Sequence, residues 1–233
     1  MIPIKDNVPT DRLPLVTVAL ILANVVVYLL SIRHGGSLIS GPDNQEVVKY
    51  GAIPYSITHG TSVAGGIPWY ESIFTSMFIH ASIIQLAVNM LFLWIFGNNV
   101  EDSMGPVKFV IFYLLAGLSA DALQIVFSLN SEVPSIGASG AIAGILGGYL
   151  ILFPRARVVT LVFIIFFFTI LELPAILFLG IWIIQQAVFA YFDLFQPQGG
   201  GGVAYFAHLG GAAFGLLTIR LFARRRRQSV GVA

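Results

Sequence analysis

The sequence has no cysteine and little charge. Without cysteine there is no disulfide framework, no thiolate nucleophile and no cysteine-built metal site. Acidic and basic residues make up only 10% of the 233 positions, whereas an ordinary soluble domain carries about 25%. What takes their place is apolar: 57% of the residues are hydrophobic and the mean hydropathy is +0.89. Such a chain reads as an integral membrane protein. The formal net charge of +1 says little about partners, because four of the twelve basic residues are gathered in the run Arg224 to Arg227. No nucleic-acid partner is expected.

A helix needs about 20 apolar residues to cross roughly 30 Å of hydrocarbon. Runs of that kind predict spans at 14–32, 79–97, 106–129, 137–153 and 202–222. The first lacks a small-residue cleavage site and is read as a retained signal anchor. Between Val158 and Phe192 a long apolar tract, interrupted by Glu172 and Pro174, admits one span with a membrane-skimming lead-in or two spans. Lysine and arginine accumulate in cytoplasmic loops, which favours one. Six spans then place both termini inside, together with Lys5, Arg12, Lys108, Arg155, Arg157, Arg220 and the run from Arg224, and leave only Arg33 and Lys49 outside. The fifth span is set at 173–192, since proline is tolerated in a first helical turn. Val158 to Leu171 is expected to be an apolar connection at the cytoplasmic interface.

The expected fold class is therefore an all-α polytopic membrane protein, a six-helix bundle: a short cytoplasmic segment 1–13, a membrane-embedded domain 14–222 and a basic tail 223–233. There is no internal repeat of the kind that marks many transporters. The long external connection from Arg33 ends in "GGIPWYESIFTSMF", where Trp69, Tyr70, Phe74 and Phe78 suit the headgroup boundary.

Polar groups inside spans are costly in lipid and are functional candidates by default. They are His80, Gln85 and Asn89 in span two, Asp121 and Gln124 in span three, Ser139 in span four, Gln185 and Gln186 in span five and His208 in span six. Asp121 is expected to bond a neighbour such as Gln124 and is given no role. Spans four and six run in the same direction, so Ser139 and His208 fall at comparable depth near the outer face. Gly211, Ala212 and Gly215 form a small-residue stripe beside His208, and Gly140, Gly144 and Gly148 offer a matching surface on span four. Glycine stripes of this kind most often serve packing alone, and a lone serine usually bonds a backbone carbonyl. The conjunction is different: two smooth faces would bring a hydroxyl and an imidazole into hydrogen-bond reach, the arrangement in which a histidine base activates a serine. The unpaired amides at the start of span four could receive an oxyanion.

"GASG" at Gly137 to Gly140, "AHLGG" at Ala207 to Gly211 and "FIHASIIQLAVNMLFLWIFGNNVED" from Phe78 to Asp102 closely resemble the rhomboid family of intramembrane serine proteases. The resemblance covers the six-helix core in order. It implies that Ser139 is the nucleophile and His208 the general base, a dyad with no third acid. It also implies that the Asn89 side chain and the Ser139 amide help form the oxyanion hole, with Gln85, Gly137 and His80 in support, and that Glu101, in the loop segment after helix two, is structural. One position departs: the family's second-helix pattern usually has a second histidine where this chain has Gln85, whose amide can still donate a hydrogen bond.

A span four of about 17 residues, roughly 25 Å long, would leave Ser139 recessed below the surface, roofed by "NSEVPS". The expected substrates are transmembrane proteins, unwound locally within the lipid bilayer, and no metal or cofactor is needed. The expected location is the plasma membrane of a prokaryote. The oligomeric state is left open. The alternative is a rhomboid-like pseudoprotease that binds membrane clients without cutting them.

Overall fold

A backbone surrounded by lipid has no water to bond and must satisfy its own N–H and C=O groups, which a helix does within one segment. The computed structural model describes residues 1–164, 167–195 and 203–223. The arginine run from Arg224 and the expected start of span six at Gly202 lie outside the described residues. A strand, β1 (Ile2–Asp6), leads into α1 (Leu15–Ser31). The long connection that follows folds into three short helices, α2 (Asn44–Tyr50), α3 (Pro54–His59) and α4 (Trp69–Thr75). Next, α5 (Ile83–Phe92) continues through a π-helical stretch, Leu93–Gly97, into α6 (Asn98–Met104). The remaining elements are α7 (Pro106–Phe127), α8 (Ser139–Leu152), β2 (Arg157–Ile164), β3 (Phe167–Pro174), α9 (Ala175–Asp193) and α10 (Tyr205–Phe222).

Five described segments are long and apolar enough to cross a membrane: Leu15–His34, Ile83–Met104, Pro106–Phe127, Ala175–Asp193 and Tyr205–Phe222. A shorter apolar helix, α8, has 14 residues. Two boundaries differ from the sequence expectation for visible reasons. The second span begins at Ile83 rather than at residue 79, because the Ser82 side chain accepts from the Gln85 N–H and caps the helix there. The fourth begins at Ser139 rather than at 137, because Gly137 sits at φ +111°, in the left-handed region.

The larger correction is to the all-α reading. Val158 to Leu171 is not a structureless apolar connection: β2 and β3 form an antiparallel hairpin, with Val158 opposite Leu173 and Ile164 opposite Phe167. On its other edge β2 pairs antiparallel with β1, Ile2 opposite Leu161 and Asp6 opposite Val158, giving a three-stranded sheet in the order β1-β2-β3. The segment is built almost entirely from Val, Ile, Thr and Phe, residues that suit a pleated surface. The sheet therefore ties the N-terminal segment to the connection after α8, on one end of the bundle. On that end Asp6 accepts hydrogen bonds from Asn99 Nδ2 (2.6 Å) and the Tyr149 hydroxyl. Burial pushes the Asp6 carboxyl above its ordinary value, with the Tyr149 hydrogen bond acting in the opposite sense. Lys108 Nζ donates to Phe222 O at 3.2 Å, which places the start of α7 and the end of α10 on this end too.

The interior of the bundle is centred on α8, whose residues Gly140 to Tyr149 are all buried. Large rings close around its far half: Phe96 lies edge-on to Tyr149 with centroids 4.9 Å apart, and Phe112, Tyr113 and Phe178 are almost fully covered. The stripe Gly140, Gly144 and Gly148 packs against α10, as the sequence suggested, but it also admits α7. A Cβ on Gly140 would lie 2.6 Å from the Ala120 Cβ of α7, and one on Gly144 would run into Ala116 Cβ of the same helix. Gly148 faces Ile219 of α10. Glycines of both helices carry the contact with α10: Gly211 and Gly215 rest against the carbonyls of Gly140 and Gly144, and Gly147 rests against the carbonyl of Ala212. Thus α8 is clasped on two sides by helices that approach to backbone contact.

Glu101 is structural, in a specific way. Its buried carboxylate accepts from the Val16 N–H (3.0 Å) and from both the N–H and the hydroxyl of Thr17 (2.7 Å each). These are first-turn amides of α1, which have no acceptor within the helix, and the negative charge meets the positive end of the helix dipole.

Candidate active site

The end of α8 opposite Tyr149 and the sheet faces a cavity of about 670 Å³, whose wall includes Gln85, Asn89, Ser139, Asp193, Phe206 and His208. At 1.5 Å per residue α8 is about 21 Å long, roughly 9 Å short of the hydrocarbon thickness. Its other end is held by the Tyr149 hydroxyl bonded to Asp6. The segment Asn130 to Ser135 borders the cavity, as expected for a roof. It is held by backbone pairing of Ser135 with Ala52 and by the Tyr55 N–H donating to Ser131 O (3.0 Å). The connection between α1 and α5 thus holds this segment in place. Within that connection Tyr70 and Phe74 are exposed, while Trp69 and Phe78 are half-buried.

Ser139 is the first residue of α8 and His208 lies in the first turn of α10. The close helix contact brings them together: Ser139 Oγ is 2.9 Å from His208 Nε2. On the other side of the ring His208 Nδ1 is 2.8 Å from Gln186 Oε1, an atom that can only accept. An imidazole with its proton on Nδ1 satisfies both contacts and leaves the Nε2 lone pair to receive the serine hydroxyl. Trp182, one turn before Gln186 on α9, covers the ring with centroids 5.8 Å apart. Gln124 Oε1 accepts from the Ala207 N–H (3.1 Å) and so caps the helix that carries His208.

His80 and Asn89 form a second unit. His80 Nδ1 donates to Phe78 O (3.2 Å), so Nε2 is an acceptor, and Asn89 Nδ2 donates to it at 2.9 Å. The Ala138 N–H points at the same nitrogen from 3.5 Å. His80 thereby fixes which end of the Asn89 amide is its NH2 end and where that group lies. The first intrahelical bond of α8 is from the Ile142 N–H to Ala138 O, so the amides of Ser139, Gly140 and Ala141 have no acceptor one turn back.

Gln85 holds a different post from that of a simple donor. Its Oε1 accepts from the Ala81 N–H (2.6 Å) while its Nε2 reaches toward Ile136 O (3.5 Å), bracing the start of α5 against the segment before Ser139. Gly137 makes room for it: a Cβ there would sit 3.0 Å from Gln85 Nε2. The Gly137 N–H donates to Ser76 O (2.8 Å), so it is not free to meet an oxyanion.

The sequence reading placed Asp121 beside Gln124, and the structure does not. Gln124 bonds Ser128 and Ala207 instead, and Asp121 Oδ2 is buried with no partner among the described residues. Two supports were missed. Gln186 and Gln124 were visible as polar residues in apolar spans, the only signal available, but nothing in the sequence tied either to His208.

The Rhomboid domain family model matches residues 68–225. Among curated proteins the chain is similar to Rhomboid protein 1, mitochondrial, of Saccharomyces cerevisiae, 31% identical over 63% of this chain and 40% of that one. It is also similar to Rhomboid protease GluP of Bacillus subtilis, 34% identical over 59% of this chain and 24% of that one. A third relative is the human Presenilin-associated rhomboid-like protein, mitochondrial, 31% identical over 60% of this chain and 35% of that one. The chain thus matches less than half the length of each of these relatives. The matched domain runs from α4 through α10 and includes every residue that lines up around Ser139 and His208, so this multi-pass membrane protein belongs to the rhomboid family.

Proposed function

We propose that the protein is an intramembrane serine endopeptidase that cleaves transmembrane segments through a Ser139–His208 dyad. The observation that carries this reading is the 2.9 Å approach of Ser139 Oγ to His208 Nε2, with the ring's other nitrogen held by an acceptor. Family membership and the name of the Bacillus relative, a protease, agree with it.

In the proposed reaction Ser139 Oγ attacks the scissile carbonyl carbon while its proton passes to His208 Nε2. The carbonyl oxygen becomes an oxyanion beside the open amides at the start of α8 and the second N–H of Asn89 Nδ2. These donors are fixed before the reaction begins, so they stabilise the charge without reorganising. His208 then gives its proton to the leaving amine, the C–N bond breaks, and an ester links the acyl group to Ser139. Water attacks the ester, His208 takes its proton, and collapse returns that proton to Ser139. Ser139 lies below the membrane surface and the cavity is the route for water to it. A substrate helix has its peptide groups paired, so its backbone must unwind locally to offer a carbonyl; helix-breaking or small residues near the cleavage point favour this. The bilayer is the second partner, since it delivers the substrate laterally. The proposed location is a prokaryotic plasma membrane, with a mitochondrial membrane as the alternative that two relatives' names bring.

The test uses the full chain in bilayer nanodiscs with a single-span fluorescent reporter. Cleavage by the wild type, and none by Ser139→Ala or His208→Ala, is the expected result. A folded wild type that binds reporters but cuts none would favour the pseudoprotease reading, and Ser139→Ala cutting as fast as the wild type would refute the site.

A further inference from the structure

The dyad reading leaves His208 with one named partner, yet the ring is held on three sides by three different helices. Ser139 on α8 meets Nε2, the α10 backbone carries the ring, and α9 supplies Gln186 at Nδ1 with Trp182 against the ring. Gln186 is only 7% exposed, although it sits on a helix whose neighbouring positions face outward: Gln185, Ile184 and Val188 are exposed. An amide in an apolar span is costly unless it finds a partner, and the partner of this one is the histidine.

We propose that Gln186 is a positioning residue of this enzyme, which fixes the tautomer and the plane of His208 in place of the absent acidic third member. The inference rests on the proposed protease reading and adds a residue to it. The chemistry follows from what an amide oxygen can do. It accepts and cannot donate, so Nδ1 keeps its proton and Nε2 its lone pair; the opposite tautomer would point an N–H at the serine and forbid proton transfer. When Nε2 takes the serine proton the ring becomes a cation, and the bond from Nδ1–H to Gln186 becomes charge-assisted and stronger. A carboxylate here would stabilise the cation more, but it would also bring an ionised group into an apolar site and hold the resting histidine protonated. The neutral amide orients the base without charging it. The side chains touching the ring, Ser139, Gln186 and Trp182, are all uncharged, and Asp193 is the acidic residue on the cavity wall.

Steady-state kinetics of the full chain in nanodiscs, with reporter cleavage followed across pH, test this. Gln186→Leu is expected to lower kcat by about 10- to 100-fold with KM within about twofold, the size of effect that a misplaced reacting group produces. Gln186→Glu keeps an acceptor on Nδ1 and is expected to restore most of kcat at high pH, with the acidic limb of the rate profile moved upward by about 1 pH unit or more. Gln185→Leu, on the exposed side of α9, is the control and should match the wild type. A Gln186→Leu enzyme with wild-type kcat, or a Gln186→Glu enzyme with an unmoved profile, overturns the proposal while leaving Ser139 and His208 in place. A wild type without cleavage overturns the protease reading itself, and this inference with it. Should Gln186→Leu fail to fold, nitrogen NMR of the His208 ring in the unsubstituted protein decides the matter: a proton on Nδ1 is expected, and a proton on Nε2 overturns the assignment.

Discussion

His80 and His208 each have Nδ1 facing an oxygen that can only accept, Phe78 O and Gln186 Oε1, and each therefore presents an unprotonated Nε2. What separates them is the group that Nε2 meets. His80 meets the Asn89 amide and serves as a fixed acceptor, whereas His208 meets the Ser139 hydroxyl, whose proton it takes in the proposed mechanism. The sequence reading singled out Ser139, His208 and Asn89 as candidates, because few residue types can do acyl-transfer chemistry and each stood in a recognisable motif. It did not disclose how Gln85 is used, since the missing histidine reads as a lost donor only until the brace from Ala81 to Ile136 is seen. On the proposed mechanism Asn89→Ala should lower kcat by about 10²- to 10³-fold, the usual cost of one oxyanion donor, measured by reporter cleavage. Gly137→Ala, which forces a Cβ into a left-handed backbone against Gln85, should destabilise the protein by more than about 1 kcal/mol and slow cleavage, read by thermal unfolding and kinetics together.

At the scale of elements, the helices and the close approach of α8 to α10 were legible, and the α7 contact and the sheet were not. A run of apolar residues near 20 long states that a helix crosses the membrane, but not which of its faces meets which neighbour. Gly140 and Gly144 were thus assigned to the α10 contact, which their carbonyls make with Gly211 and Gly215, while the contact of their open sides with Ala120 and Ala116 of α7 went unread. The small-residue pattern identifies a close approach; only the rotation of the helix tells its direction. Val158 to Leu171 failed for a related reason, since an uncharged run shorter than a span has no periodicity that separates a strand from an interfacial coil. Its β-branched and aromatic content was the available signal, and its partner β1 lies more than a hundred residues away. The glycine contacts carry a prediction. In Gly215→Ala the new methyl meets the Gly144 carbonyl, a backbone atom that cannot swing aside. Forcing α10 off α8 should cost about 1–3 kcal/mol and lengthen the Ser139–His208 contact. Unfolding at lower temperature together with a lower kcat is expected, and a methyl absorbed with neither change would contradict the packing described.

For the molecule as a whole, the two ends have separate tasks. One end holds the sheet, Asp6 with Asn99 and Tyr149, and Lys108 against Phe222, and it anchors the Tyr149 end of the short α8. The other is an open cavity in which that helix ends early. The anchor has a pH signature. Burial raises the Asp6 carboxyl above its ordinary 3.8, so the folded state favours its neutral form. Its contribution to stability is therefore full below 3.8 and is lost as the pH rises through the raised value. Asp6→Asn should flatten that part of the profile of unfolding temperature against pH, and an unchanged slope would mean that another group sets it. On the proposed mechanism the early start of α8 sets Ser139 on the cavity wall, where water can reach it.

The most direct measurement of the proposed chemistry is the position of a covalent adduct. The wild-type protein in nanodiscs is treated with a fluorophosphonate and the modified peptide is read by mass spectrometry. A single adduct on Ser139 that disappears in His208→Ala is predicted, because the hydroxyl needs its base to react. An adduct on another residue, or cleavage of a transmembrane reporter by a protein whose Ser139 stays unmodified and is dispensable, would contradict the account.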